Sequence, residues 1–101
     1  MTTIEERVEA GAEWLDANRP GWVDRINLET LDLGSTCNCV LGQEFKGFNT
    51  AVKRHMGDDY ELAGAWAFTL QSDRGFLVDD QHFSDLTQAW RDYITARRAA
   101  A

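Results

Sequence analysis

Apolar residues recur every three to four positions at the start of the chain, at Ile4, Val8, Gly11 or Ala12, and Leu15, with charged residues between them. That period puts them on one side of a helix, and Thr3 with Glu6 makes a capping-box pair, so residues 3–18 are predicted to form an amphipathic helix. Pro20 stops it from continuing unkinked. From Pro20 to Ser35 the apolar positions Trp22, Ile26, Leu28, Leu31 and Leu33 stand among acids without a clean period, and the segment reads as two short helical turns. A third helical region begins near Asn38, runs through Val40, Leu41, Gln43 and Phe45, loosens at Gly47, resumes through Ala51, Val52 and Met56, and closes on Gly57 as a C-cap. In AWAFTLQSDRGFLVDD the period changes: Trp66, Phe68 and Leu70 alternate with smaller residues, Ser72 to Gly75 carry turn chemistry, and Phe76 to Val78 are placed to pair back as a β-hairpin. A final helix starts near Ser84 or Asp85, with Leu86, Ala89, Trp90, Tyr93 and Ile94 on one face.

These elements predict an α+β class, mostly helical, with one short hairpin. The first and last helices are expected to pack their apolar stripes against the Cys39–Phe45 segment. With 101 residues, no internal repeat and no linker, residues 1–101 read as a single globular domain with one core. A composition of 44% hydrophobic and 27% charged residues is that of a chain that folds. The formal charge of −7 repels phosphate backbones and anionic headgroups, so direct nucleic-acid binding is not expected. The basic clusters, Lys53-Arg54-His55 and Arg97-Arg98, fall at helix ends, where cations suit the macrodipole. No run approaches the ~20 apolar residues of a membrane span, and the N-terminus lacks the apolar core of a secretory signal, so no membrane partner and a cytoplasmic location are expected.

Candidate chemistry concentrates in STCNCVLGQEF. Cys37 and Cys39 supply half of a possible zinc-type site that His55 and His82 would complete, but Cys-x-Cys opening a helix is poor spacing for paired ligands. A thiol at a helix N-terminus has a dipole-lowered pKa, which is the redox or nucleophilic reading. Against both stands the plainer one, small thiols buried as hydrophobes. Under that reading Gly42 marks a close approach and Gln43 satisfies a neighbouring backbone group. The acid pairs Asp58-Asp59 and Asp79-Asp80 suit solvated turns, and Gly42 and Gly47 are not followed by the Lys-Ser or Lys-Thr of a phosphate loop. No catalytic, cofactor-binding or metal residue is assigned, and the chain is expected not to be an enzyme. Of the four tryptophans, Trp14, Trp66 and Trp90 lie on or beside apolar faces and suit the core, while Trp22, after Pro-Gly, is placed for exposure at an interface.

The run GWVDRINLETLDLGSTCNCVLGQEF, followed by Leu86, Thr87, Trp90, Ile94, Arg97 and Arg98, resembles a family of small proteins of actinobacterial bacteriophages and their prophage-bearing hosts. The likeness covers most of the chain from Trp22 onward, and Cys39-Val40-Leu41-Gly42-Gln43 is its most specific element. It implies a setting, not a reaction: a phage accessory protein that binds and modulates a host protein. The host's sliding clamp is one target of suitable chemistry, because QHFSDL, and less so ETLDLG, resemble the glutamine- and leucine-rich peptides that dock there. The alternative is a small metal or redox module built on Cys37 and Cys39.

Overall fold

In the first helix the 3.6-residue period is realised as expected. The computed structural model describes residues 4–35, 37–68 and 80–100. Within it α1 spans Ile4–Asn18 and buries Val8, Gly11, Ala12 and Leu15. Asn18 folds its side chain back onto the Trp14 carbonyl (2.8 Å), and Gly21, at φ 87°, turns the chain into α2, Trp22–Arg25. Residues 26–35 and 37–39, which follow, are irregular. The third predicted region divides into α3, Val40–Phe45, and α4, Phe48–His55. Lys46 in the left-handed region (φ 63°) and Gly47 at φ 141° separate them, a sharper break than the loosening the sequence suggested. α4 stops at Met56, and Gly57 follows it in the left-handed conformation (φ 64°), as a glycine beyond a helix end should. α5 covers Tyr60–Ala65, capped by the Asp59 carboxylate, which accepts from the Leu62 amide (3.0 Å). α6 is the longest helix, Asp80–Ala100.

The expected α+β class is replaced by an all-α arrangement: the described residues form six helices and no strand. The alternation at Trp66 and Phe68 that suggested a hairpin belongs to the closure of α5. Ala67 sits in the left-handed region (φ 61°), its amide donates to the Gly64 carbonyl (3.1 Å), and the Phe68 amide donates to the Ala63 carbonyl (2.9 Å). This pair of bonds is a Schellman closure, which puts an apolar residue on each side of the turn and so imitates a strand over two positions. The remainder of the proposed hairpin, Leu70, Ser72 to Gly75 and Phe76 to Val78, lies outside the described residues.

α1 and α6 lie side by side and run in the same direction, with Val8 beside Ala89 and Tyr93 and Asp16 paired with Arg97 (3.0 Å). Their inward residues Val8, Ala12, Leu15, Leu86, Trp90 and Ile94 belong with Cys39, Val40 and Leu41 to one buried cluster. The cluster also takes Trp22, contrary to the expectation of exposure. Its ring is fully buried, meets Trp90 edge-on at 5.8 Å, and donates its indole N–H to Asp16 (2.9 Å). Trp90 in turn stacks on Phe68 at 5.3 Å and donates to the Ala67 carbonyl (2.5 Å). Each buried indole thus has an acceptor for its N–H, as the interior requires.

Gly11 is where α1 meets the α5 closure: a Cβ there would collide with the Trp66 carbonyl and press on the Phe68 ring. Alanine is the better helix former by about 1 kcal/mol, but overpacking against backbone costs about 1–3 kcal/mol. Gly11→Ala is therefore expected to lower the stability measured by urea denaturation. An unchanged or raised midpoint would mean that α1 does not pack on this closure.

Candidate functional site

The cysteines are separated by environment although one residue parts them. Cys37 is exposed and Cys39 is buried. Cys39 is the N-cap of α3: its backbone is extended (φ −72°, ψ 172°), and its sulfur accepts from the Gly42 amide at 3.2 Å. A serine or aspartate is usual at such a position; here the cap is also a core residue, so a thiol serves both needs. Burial is the larger influence on this thiol and outweighs the amide hydrogen bonds, pushing its pKa up to about 11. For Cys39, burial thus works against the dipole-lowered pKa considered from sequence.

His55 is exposed at the end of α4 and rests its ring on Phe45, with centroids 4.5 Å apart. The side chain of His82 lies outside those described. Among the described residues no three of His, Cys, Asp and Glu converge in a metal-binding arrangement.

Gln43 does what its place in the motif suggested. Its carbonyl oxygen accepts from the Asn27 amide (2.7 Å), and its amide nitrogen donates to the carbonyls of Asn27 (3.2 Å) and Asn38 (3.0 Å). One side chain therefore ties both ends of the stretch between α2 and α3. From the other side α6 supplies three more ties. Thr87 accepts from the Leu33 amide (2.9 Å), Arg91 donates to the Leu28 carbonyl (3.0 Å), and Arg98 donates to the carbonyls of Val23 and Ile26 (both 2.6 Å). Arg97 forks onto Asp16 and the Tyr93 hydroxyl, which holds the Asp16 carboxyl below its usual range. The paired arginines are thus specific ties as well as helix-end cations. The buried carboxylate of Glu44 receives Arg25 (2.6 Å), a pairing that sequence reasoning missed because 19 positions separate the two.

What remains at the surface falls into three places. A cleft of about 850 Å³ between the 29–34 stretch and α6 is lined by polar groups that largely serve the neighbouring backbone, Thr87 and Arg91 as above and Asp32 on the Gly34 amide. On the flank of α1 that faces α3 and α5, three half-buried rings form a run. Trp14 lies 5.9 Å from Phe45 and 5.6 Å from Trp66, and the Arg19 guanidinium sits over Phe45 at 5.3 Å. On the α6 flank of α1, a groove of about 320 Å³ is lined by Glu5, Glu6, Val8, Glu9, Ala89, Asp92 and Tyr93.

The segments compared with clamp-docking peptides are built into the fold: Leu31 and Leu33 of ETLDLG and Leu86 of QHFSDL are core residues. No described helix is long and apolar enough to cross a membrane. No protein-family model, curated protein or solved structure matches the chain.

Replacing Gln43 by leucine removes three hydrogen bonds to backbone that water can partly reach, so a loss of about 1–3 kcal/mol is expected by chemical denaturation. Gln43→Glu should cost at least as much near neutral pH, because a carboxylate faces two carbonyls it cannot donate to. A neutral result for both would remove the side chain from its structural role.

The raised thiol makes a pH prediction. Between the ordinary thiol range, about 8.5, and about 11 the unfolded chain ionises Cys39 while the folded chain keeps the proton. The native state then binds more protons, so stability falls as pH rises. The contribution is complete below the unfolded pKa and lost above about pH 11, amounting to ~2–3 kcal/mol. Cys39→Ala should lose that much less stability than wild type over this window, and native protein should expose one fast-reacting thiol, Cys37. Equal pH slopes, or two fast thiols, would place Cys39 in solvent.

Proposed function

We propose that the chain is a non-catalytic accessory protein of phage type that binds a host protein and alters its action. The observation that carries this reading is the run of half-buried rings Trp14, Phe45 and Trp66, with Arg19 over Phe45. Tryptophan and arginine are the residue types that dominate binding energy at protein interfaces, because a large rigid ring gains much contact for little lost freedom. These three rings come from α1, α3 and the closure of α5, so the fold presents them on a surface of fixed shape. Further support comes from the residues with reactive side chains. Cys39 is a buried helix cap with a raised pKa, Glu44 is paired, and Asp16 is held by Arg97 and Trp22.

The test is capture from an actinobacterial lysate with wild type and surface variants. Glu13 and Lys46, both exposed, flank the rings in sequence beside Trp14 and Phe45. Glu13→Arg with Lys46→Glu is expected to keep the helical circular dichroism and to reduce capture of a specific host protein about tenfold or more. Glu29→Lys, on the stretch between α2 and α3, should leave capture unchanged. If no protein is retained specifically, or if the retained protein ignores the reversals beside the rings, this reading fails.

A further inference from the structure

We infer that the groove between α1 and α6 binds a basic amphipathic segment of another protein, one apolar side chain seated between flanking lysines or arginines. The groove has a floor of carbon and a rim of one charge. Val8 is buried at its base, Ala89 and the Tyr93 ring form its α6 wall, and Glu5, Glu6, Glu9 and Asp92 stand around it. None of the lining residues is cationic. The first turn of a helix favours acids, which accounts for Glu5 and Glu6. It does not account for Glu9, in the second turn of α1, or for Asp92, in the middle of α6.

The described arginines of α1 and α6 reach partners away from this rim. Arg7 reaches the Gly64 carbonyl (3.1 Å), Arg91 the Leu28 carbonyl, Arg97 Asp16, and Arg98 the carbonyls of Val23 and Ile26. Among the described residues that line the groove, every charged one is acidic, in a protein with a formal charge of −7. Such a rim excludes anionic lipids and acidic peptides and speeds encounter with a cationic partner, while the apolar floor supplies what charge alone lacks, a reason to stay. The volume, about 320 Å³, suits one or two side chains and not a buried helix, so the occupant is a segment lying across the groove with its anchor pointing in. A second copy of this chain is a poorer fit. Its exposed Lys53 and Arg54 lie on α4, whose apolar residues Ala51 and Val52 are buried, and two copies at −7 repel. This groove lies on the opposite flank of α1 from the aromatic run, so the inference stands whether or not that run binds a host protein.

The test is a titration of isotope-labelled protein, followed by amide chemical shifts, with three synthetic 14-residue peptides. The first carries leucines at helical spacing with lysines elsewhere, the second replaces the leucines by serine, and the third replaces the lysines by glutamate. The first is expected to bind in the micromolar range, to shift residues around Val8, Ala89 and Tyr93, and to weaken as salt is raised. The other two should bind at least about tenfold more weakly. Glu5→Lys with Glu9→Lys, both exposed positions, should reduce affinity about tenfold by charge. Ala89→Phe should block the groove with the charges intact. Shifts centred on Trp14 and Trp66, equal binding of the serine peptide, indifference to both variants, or protein that self-associates through α1 and α6 would each overturn the inference.

Discussion

Everything in this fold depends on holding a stretch of chain that has no ladder of its own. Between α2 and α3 the backbone makes a few turn bonds, such as Asp32 to Asn38 and Ser35 to Asp32, and leaves the rest of its amides and carbonyls to find partners elsewhere. Gln43 meets it from one side and Thr87, Arg91 and Arg98 from the other. These ties let Ile26, Leu31 and Leu33 enter the core, because an apolar side chain can be buried only if the peptide groups beside it are satisfied. Arg and Gln suit this work: a guanidinium fork spans two carbonyls, and a primary amide both donates and accepts at one place.

The same constraint explains what could be read from the residues beforehand. α1 and α6 were legible because their periods run over three or more turns, and Gln43 was legible because a polar residue one turn into a buried helix needs a partner. Trp22 was misjudged: Pro-Gly before it signals a turn and says nothing of Asp16, six residues earlier, which accepts its N–H. The hairpin was misread because two apolar residues around a left-handed Ala67 look like the start of a strand. An alanine seldom adopts that conformation, and this one does so with its side chain fully buried and its carbonyl fixed by Trp90. Neither the groove nor the ring run was visible, since each joins residues from helices far apart in sequence, Val8 to Tyr93 in one case and Trp14 to Trp66 in the other.

Charge is distributed by the same logic. Arginines are drawn inward or across the surface to backbone carbonyls and to Asp16 and Glu44, while most acids stay outside. The acids Glu5, Glu6, Glu9 and Asp92 gather at the α1–α6 groove, while Lys46, between α3 and α4, and Lys53 and Arg54, on α4, are exposed.

The ties from α6 also set an order of events during synthesis. Thr87, Arg91 and Arg98 hold residues 54 to 75 positions earlier in the chain. A ribosome adds roughly 5–20 residues per second, so the stretch after α2 waits seconds in the exit vestibule with its carbonyls bound to water and its leucines uncovered. Local helices such as α1 can form in that interval, whereas the core cannot close until α6 has emerged. Closure of the core is therefore a late event in the making of this chain.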